Sequence, residues 1–186
     1  MRRKDREMSR EFGLGIIDKS RYGLLSMVDG DMPYGLPLSI VRDGDNLYFH
    51  SAMEGRKVEL LAQYPNVSLA FVGEVRVPDN YTRDELDEII KDQARIPLLT
   101  SSVFTTEFES AIVRGRVHLV EDREEEIKAM MLICQKYTPS KMEYFDLAVE
   151  SGLKRAYVYR IEIDEITAKR KKYDGQGKEM KWARME

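Results

Sequence analysis

The stretch that decides the fold spans residues 46–61 and reads NLYFHSAMEGRKVELL. Its first part, residues 46–52, alternates apolar and polar side chains after a turn rich in Asp and Gly, a pattern that predicts a β-strand. From Met53 onward the apolar residues recur at helical spacing, which indicates a helix. The chain is therefore expected to run from an extended strand almost directly into the N-terminus of a helix.

This predicted junction carries residues suited to holding a phosphate group. A helix N-terminus presents unpaired backbone N–H groups, and here two cationic side chains arrive at the same place. Gly55 would let a phosphate approach the backbone, Arg56 could grip two oxygens with its planar fork, and Lys57 would add a point charge. The junction therefore predicts a phosphate site, with an ordinary solvated turn as the alternative. The chain contains no Walker A motif.

Outward from this junction, the chain is predicted to combine short strands with local helices. Alternation of apolar residues and Asp/Gly turns predicts six strands, at residues 22–28, 34–41, 46–52, 67–72, 108–120 and 155–167. Helical spacing and capping patterns predict helices at residues 4–19 and 55–63, for about three turns after Thr82, from Asp122, and from Ser140 to Gly152. In the strand 108–120, Ser110 is expected to share a face with Arg114, unless Gly115 marks a bulge.

The connections between the predicted strands determine the fold class. The early turns are too short for the crossovers that parallel strands need, so the strands are expected to pair antiparallel. The prediction is a mainly β protein, a six-stranded antiparallel barrel with peripheral helices, rather than a parallel α/β sheet. Residues 1–186 are expected to form a single domain. It would have an N-terminal helix within 1–20, an inserted helical segment at 78–100 and a flexible basic tail at 168–186.

Composition argues against several functional classes. The net charge is −3 and charged residues make up 34% of the chain, with both signs interleaved, which disfavours a nucleic-acid binder. The one short basic run, residues 169–172, does not change this. A single cysteine, Cys134, is expected to pack as a buried thiol in a reducing compartment, so we predict a cytoplasmic protein. No window approaches the roughly 18 uncharged apolar residues of a membrane-spanning helix.

Side chains that could perform catalysis unaided are scarce. The two histidines, His50 and His118, are too few and too far apart to suggest a metal site, so no bound metal is expected. The zinc-protease, dithiol, nucleophile-elbow and dinucleotide motifs do not occur. An enzyme without its own acid-base or nucleophilic set usually takes its reactivity from a cofactor. The sequence therefore favours a cofactor-dependent protein over one that relies on its own side chains.

Three segments together resemble a known family. Residues 33–40 (PYGLPLSI) and 47–57 (LYFHSAMEGRK) look like the flavin-binding half of the 5-nitroimidazole resistance (Nim) family, within the pyridoxamine 5'-phosphate oxidase-like split β-barrels. Residues 104–116 (FTTEFESAIVRGR) resemble a later strand of that family. The similarity runs from about residue 21 to 137, with a weaker echo at 158–166. The 78–97 interval and the tail are longer than expected of the family, which affects the rim of the pocket more than the cofactor.

The resemblance implies an FMN site, with FAD as an alternative, in a split barrel that forms a homodimer with the flavin at the interface. Carried onto this sequence, the cofactor-binding residues would be Pro37, Leu38, Ser39, Ile40, His50, Ser51, Ala52, Gly55, Arg56, Lys57 and Ser110. The phosphate would be held by Arg56 and Lys57, and Ser110 would face the ring. His50 is the one candidate for a catalytic group. Without the resemblance, His50 would be interpreted as an ordinary imidazole at a strand end and Ser110 as a surface hydroxyl.

Two functions from different classes follow as hypotheses. The first is a flavin-dependent oxidoreductase that passes electrons from NAD(P)H or another soluble donor to a small electron-poor substrate such as a nitroaromatic. The second is a non-catalytic flavin- or haem-binding protein with the same barrel, because a fold does not fix a function.

Trp182, the only tryptophan, is expected to lie in solvent with the tail. The alternative is that it folds back over the flavin.

Overall fold

The structure, a computed structural model, describes residues 2–182 and organises them around an antiparallel sheet. The strands are β1 (Glu7–Met8), β2 (Gly23–Asp29), β3 (Met32–Leu38), β4 (Val41–Asp43), β5 (Asn46–Ala52), β6 (Asn66–Arg76), β7 (Glu107–Leu119) and β8 (Ala156–Lys171). The helices are α1 (Arg10–Lys19), α2 (Arg56–Gln63), α3 (Arg83–Ile89), α4 (Arg123–Tyr137) and α5 (Phe145–Gly152). Short 3₁₀ turns at Lys4–Arg6 and Pro139–Tyr144 and a π-helical turn at Leu99–Val103 complete the described elements.

The strands follow the order β3-β2-β6-β7-β8-β5-β4, and β1 adds to the end of β8. Every pairing is antiparallel, which confirms the predicted fold class. The six predicted strands correspond to the six long ones, and the sequence missed the short β1 and β4. Residues 34–41, predicted as one strand, are divided because the chain leaves β2 after Leu38 and joins β5 at Val41. The two edge strands, β3 and β4, therefore come from one crossing segment.

Gly115 lies where the backbones of β7 and β8 approach closely. The register between the two strands shifts opposite Gly115, where Asp164 of β8 is the extra residue, so the bulge lies in β8, and Ser110 and Arg114 share a face of β7 as predicted. A Cβ atom at position 115 would lie 2.2 Å from the carbonyl oxygen of Glu162, closer than any side chain allows. Only glycine fits at this approach of two backbones. The bulge lets a long strand curve around the core instead of running flat.

The main core fills the concave side of the sheet beneath α1. Its buried members include Ile17 from the helix, Leu25 from β2, Phe49 from β5 and Phe71 from β6. Helix α1 is capped by the side chain of Ser9, which accepts a hydrogen bond from Phe12 N–H. The predicted helix 4–19 is therefore too long, since residues 7–8 pair with β8 as a strand.

A second core lies between β4, β5 and β8 on one side and helices α4 and α5 on the other. Ala129 and Ile133 are the fully buried positions of α4, and Tyr48 and Val158 meet them from the sheet. The predicted apolar stripe through Cys134 is only partly correct, because Cys134 is half-buried at the edge of this cluster. The capping box predicted at Ser140 is wrong, since a 3₁₀ turn occupies that position and α5 begins at Phe145.

The inserted segment and the C-terminal tail agree with their predictions to different degrees. In the inserted segment, the predicted capping box between Thr82 and Glu85 is present, although α3 has two turns rather than three. The tail boundary predicted at 168 is wrong, because residues 168–171 continue β8 and pair with β7. The Trp182 side chain is in solvent, with the residue 67% exposed, and the backbone N–H of Trp182 donates to the backbone carbonyl of Asp5 at 2.8 Å. None of the helices within residues 2–182 is long and apolar enough to cross a membrane.

Candidate functional site

The junction between β5 and α2 has the predicted strand-to-helix geometry. Gly55 precedes α2 with φ 109°, a conformation that side chains rarely allow, and its carbonyl accepts from the N–H groups of Val58 and Glu59. In the described part of the chain, no side chain caps this helix. The N–H groups of Arg56 and Lys57 therefore belong to a first turn without a side-chain cap. The backbone offers two donors where an anion is expected.

Arg56 is already engaged by carboxylates. Its Nε donates to Asp29 at the end of β2 at 2.8 Å, its Nη2 makes a second contact with the same carboxylate, and its Nη1 donates to Glu59 at 2.8 Å. The hydrogen bonds to Asp29 and then Glu59 raise the pKa of Arg56, and the guanidinium lowers the pKa of Asp29. A phosphate would therefore have to displace a carboxylate from the planar fork of Arg56.

Lys57 is the less compensated cation of the junction. Its side chain is half-buried, with Nζ 5.9 Å from the centre of the Phe49 ring. Desolvation lowers the pKa of Lys57. Among the described residues, no carboxylate forms an ion pair with this ammonium. A positive charge that is partly removed from water and lacks a carboxylate partner favours an anionic ligand.

The end of β5 presents His50 and Ala52 to solvent and turns Ser51 inward. Desolvation and then the charge of Lys57 lower the pKa of His50, so its imidazole is neutral at neutral pH. Ser51 is 5% exposed, and its hydroxyl donates to the carbonyl of Ala52 at 2.8 Å. The Ser51 proton is thus used within the strand end. His50 and Lys57 are the side chains of the junction that remain able to meet a ligand directly.

The predicted segment 37–40 crosses from β3 to β4 beside β5. Val41 pairs with Tyr48, so a continued register would place Ser39 level with His50. Leu38, however, already pairs with Gly23 on β2, and the chain diverges from β5 at this point. This divergence is the opening between the two edges of the sheet. The chain thus passes from β2 to β5 within residues 38–41, next to the strand that ends at the junction.

Two side chains from α4 fix the crossing segment. The hydroxyl of Tyr137 accepts from Ile40 N–H at 2.8 Å and donates to the Ile40 carbonyl at 2.9 Å. Lys136 Nζ donates to the carbonyls of Ile40, at 2.9 Å, and Ile17, at 3.1 Å. Desolvation lowers the pKa of Lys136 and raises that of Tyr137. These contacts satisfy backbone groups of Ile40 that no strand partner reaches.

Ser110 does not join the other predicted residues within one chain. It lies on the outward face of β7, as predicted, and pairs with Val72 and Lys169. His50 pairs with Val158, eleven positions earlier along β8 than Lys169. An extended strand covers about 36 Å over that interval. One flavin head group cannot contact both His50 and Ser110 of the same chain closely.

A match along most of the sequence identifies the family of this chain. The sequence model described as pyridoxamine 5'-phosphate oxidase matches residues 10–170. The chain belongs to the pyridoxamine 5'-phosphate oxidase family. The match extends from the start of α1 almost to the end of β8, so it includes both the junction and the crossing segment. None of the curated proteins compared with this chain matches its sequence.

Solved structures share the fold of this family member. A candidate 5-nitroimidazole antibiotic resistance protein from Bacteroides thetaiotaomicron is 25% identical with a TM-score of 0.65, over 88% of this chain and 85% of that one. An FAD-binding protein from Mesorhizobium loti is 17% identical with a TM-score of 0.56, over 89% and 95%. The FAD and heme binding protein from Mycobacterium smegmatis is 15% identical with a TM-score of 0.67, over 89% and 73%. These similarities confirm the predicted split barrel and its relation to 5-nitroimidazole resistance proteins.

Sequence reasoning missed the residues that support the junction from elsewhere in the chain. Asp29 lies in the predicted Asp/Gly turn between the strands 22–28 and 34–41, yet it binds Arg56. Lys136 and Tyr137 lie at the end of a predicted helix with no pattern linking them to Ile40. The pairings join residues 27 and 97 positions apart, and no local spacing could have revealed them. Within residues 2–182, no group of three or more His, Cys, Asp or Glu is arranged to hold a metal ion.

Proposed function

We propose that this protein is a flavin-dependent oxidoreductase that holds the phosphate of FMN at the junction of β5 and α2. The observation that carries the proposal is Lys57, a partly desolvated ammonium that has no carboxylate partner in the described part of the chain and lies beside a helix N-terminus without a side-chain cap. Membership of the pyridoxamine 5'-phosphate oxidase family supports a flavin as the anion that belongs there. Bound FMN would supply the electron transfer that the side chains cannot perform.

The residues of the junction fit a ribityl phosphate. A Cβ atom at Gly55 would meet nothing within 4 Å, so the space above the helix start is open. The uncapped N–H groups and Lys57 would bind the phosphate, and Arg56 would join them by exchanging Glu59 or Asp29 for a phosphate oxygen. The crossing segment 37–40, fixed by Tyr137, would present backbone groups to the rest of the cofactor.

A homodimer follows from the distance between Ser110 and the junction. Ser110 and the outward residues of β6 and β7 form an exposed surface that includes Val72 and Ile112. If Ser110 faces the flavin ring, it must belong to the other subunit, because its own junction lies too far along β8. We therefore propose that each flavin lies between two copies of the chain. Apolar side chains exposed on the outward face are suited to such an interface.

The proposed reaction takes electrons from NAD(P)H or another soluble donor and passes them to a small electron-poor acceptor, such as a nitroaromatic. The neutral imidazole of His50 could accept or donate a hydrogen bond at the flavin edge. The protein would thus bind, orient and shield the cofactor while the flavin carries the chemistry. FAD stays an alternative cofactor, since it carries the same riboflavin core with a longer anionic group.

A second function has one observation in its favour. His50 is exposed at a strand end and has a lowered pKa, so its imidazole is available as a neutral ligand for haem iron. The Mycobacterium smegmatis protein with this fold is named for FAD and heme binding. The alternative is therefore a non-catalytic flavin- or haem-binding protein.

The absorption spectrum of the purified protein distinguishes bound flavin from bound haem. Turnover distinguishes an oxidoreductase from a non-catalytic binding protein. Reconstitution with FMN and with FAD, in parallel, is expected to give tighter binding of FMN. Oxidation of NADPH that depends on an added nitroaromatic would support the oxidoreductase, whereas a Soret band without turnover would favour the alternative. Sedimentation of the loaded protein is expected to show a dimer. A monomer with bound flavin at micromolar concentration would contradict the shared site.

A further inference from the structure

The chain forms a short hairpin after β8, in residues 172–182. Met180 N–H donates to the carbonyl of Lys172 at 2.9 Å, and Tyr173 forms an antiparallel β-bridge with Glu179. A turn that contains two glycines joins the two arms. The family model does not extend to these residues. This C-terminal hairpin is therefore a feature that the family match does not account for.

The C-terminal hairpin is fixed to the first residues of the described chain. Arg6 Nε donates to Oε1 of Glu179 at 2.5 Å, and the two side chains are only 13% and 16% exposed. Met180 packs beside Met8 of β1 and Ala168 of β8. One ion pair and one apolar contact thus join the returning arm of the hairpin to the end of the sheet.

The same hairpin contacts the β6–β7 connection, which is residues 77–106. The phenol of Tyr173, a buried residue, donates to the carbonyl of Ser101 at 2.6 Å. Near the other end of the connection, Asn80 lies next to the hairpin turn, since a Cβ atom at Gly177 would be 3.9 Å from the Cβ atom of Asn80. The hairpin therefore bridges the beginning and the end of the connection.

The β6–β7 connection buries little of its own surface. Among residues 77–106, all of which the structure describes, only Ile89 is buried. Phe104 N–H donates to the carbonyl of Leu99 at 2.7 Å, but the Phe104 residue is 79% exposed. Segments with few buried apolar contacts open more readily than the core of a domain. Contacts from outside the connection therefore matter for its order.

We propose that the C-terminal hairpin is a clasp for the β6–β7 connection, so that the two open and close as one unit while the barrel stays folded. The bordering strands β6, β7 and β8 pair over many residues and carry the main core, so they open less readily. The proposal depends only on contacts within one chain. It therefore goes beyond the function proposed above and does not rest on it.

Hydrogen exchange on the 186-residue chain tests the coupling from the hairpin side. Glu179→Gln removes the ion pair with Arg6, which lies outside the β6–β7 connection. We expect the amides of both Met180 and Phe104 to exchange about fivefold faster or more. Glu143→Gln, at an exposed glutamate in the turn before α5, makes the same charge change elsewhere and should leave both amides unchanged.

A variant in the connection tests the coupling from the opposite side. Thr82→Ala removes the side-chain cap of α3. We expect Phe104 and Met180 again to exchange faster together, although Thr82 is remote from the hairpin in sequence. Tyr173→Phe removes the phenol that reaches Ser101, and we expect it to have the largest effect on Phe104.

Exchange in the barrel is the reference for these measurements. Strand residues such as Leu69 and Val113, which are fully buried partners in β6 and β7, should keep their rates in every variant. Unchanged exchange at Phe104 in Glu179→Gln would overturn the proposal, because the hairpin would then not hold the connection. So would equal acceleration at Leu69 and Val113, because the unit would then not open separately from the barrel.

Discussion

The β5–α2 junction and a groove of about 1120 Å³ beneath α1, lined by Phe12, Leu24 and Arg170 among others, both carry basic side chains, but they are built in different ways. The junction comes from consecutive residues, in which Gly55, Arg56 and Lys57 follow one strand end. The groove needs α1, β2, β6, β7 and β8, so Phe12 meets Arg170 only in the folded chain. The junction also uses free backbone N–H groups, whereas the groove relies on side chains. A predicted phosphate site can thus be local in sequence, while a groove between a helix and several strands is a property of the whole sheet.

The largest expected effect comes from removing both cations of the junction. Arg56→Ala combined with Lys57→Ala would delete two charge-assisted contacts, each worth about 1.5 to 3 kcal/mol, so the affinity for FMN should fall by about a hundredfold or more. Fluorescence titration of the flavin-free protein measures this change. Full flavin occupancy in the purified double variant would show that the phosphate binds elsewhere.

A variant in the second core tests whether the crossing segment depends on α4. Tyr137→Phe leaves the N–H of Ile40 without its partner, and a buried unsatisfied group costs about 1 to 3 kcal/mol. Flavin affinity should fall about tenfold, and the Ile40 amide should exchange faster in hydrogen-exchange measurements on the flavin-free protein. Tyr144→Phe, which alters an exposed tyrosine, is the matched control. Unchanged exchange at Ile40 would show that the hydroxyl does not fix the segment.

From the lowered pKa of Lys57 we expect both the stability of the protein and its affinity for FMN to depend on pH. Desolvation lowers its pKa in the folded protein below 10.5. Its charge therefore costs stability at neutral pH, and stability rises as pH increases through the lowered pKa, because the unfolded chain then binds more protons. Flavin binding needs the ammonium, so affinity should be constant near neutral pH and fall through the same range.

Lys57→Arg separates this titration from other alkaline effects. Arginine stays protonated, so the variant should bind FMN without the alkaline loss. Affinity titrations across the pH range compare the two proteins directly. An identical alkaline decrease in both would assign the titration to another group.

The smallest expected effect concerns the carboxylates that hold Arg56. Asp29→Asn removes one charge from an exposed pair, and such pairs contribute little to stability. Arg56 would then be released towards the phosphate, so FMN affinity should rise by up to a few fold at low salt. Asp31→Asn changes a neighbouring exposed carboxylate in the same turn and should have no comparable effect. A loss of affinity in Asp29→Asn would mean that the pair orients Arg56 rather than competing for it.

Prediction from sequence succeeded where the physical cause is local. Alternation along β5, the turn before it and the helical spacing after Gly55 each depend on residues within one or two turns of one another, and the structure has all three. The antiparallel arrangement followed from short turns. Errors arose where tertiary pairing outweighs local pattern, as in residues 7–8, which join β8, and in 168–171, which continue it.

The sequence by itself determined the antiparallel class, the helix that starts at the junction and the charges placed there, because backbone geometry and spacing act over a few residues. Only the tertiary structure decided the partners of those charges. It joined Arg56 to Asp29, placed Lys57 over Phe49 with no carboxylate partner among residues 2–182, and brought Tyr137 to Ile40. It also separated Ser110 from His50 along β8. These outcomes depend on strand register and on the curvature that the β8 bulge opposite Gly115 permits, and neither is encoded in the spacing of neighbouring residues.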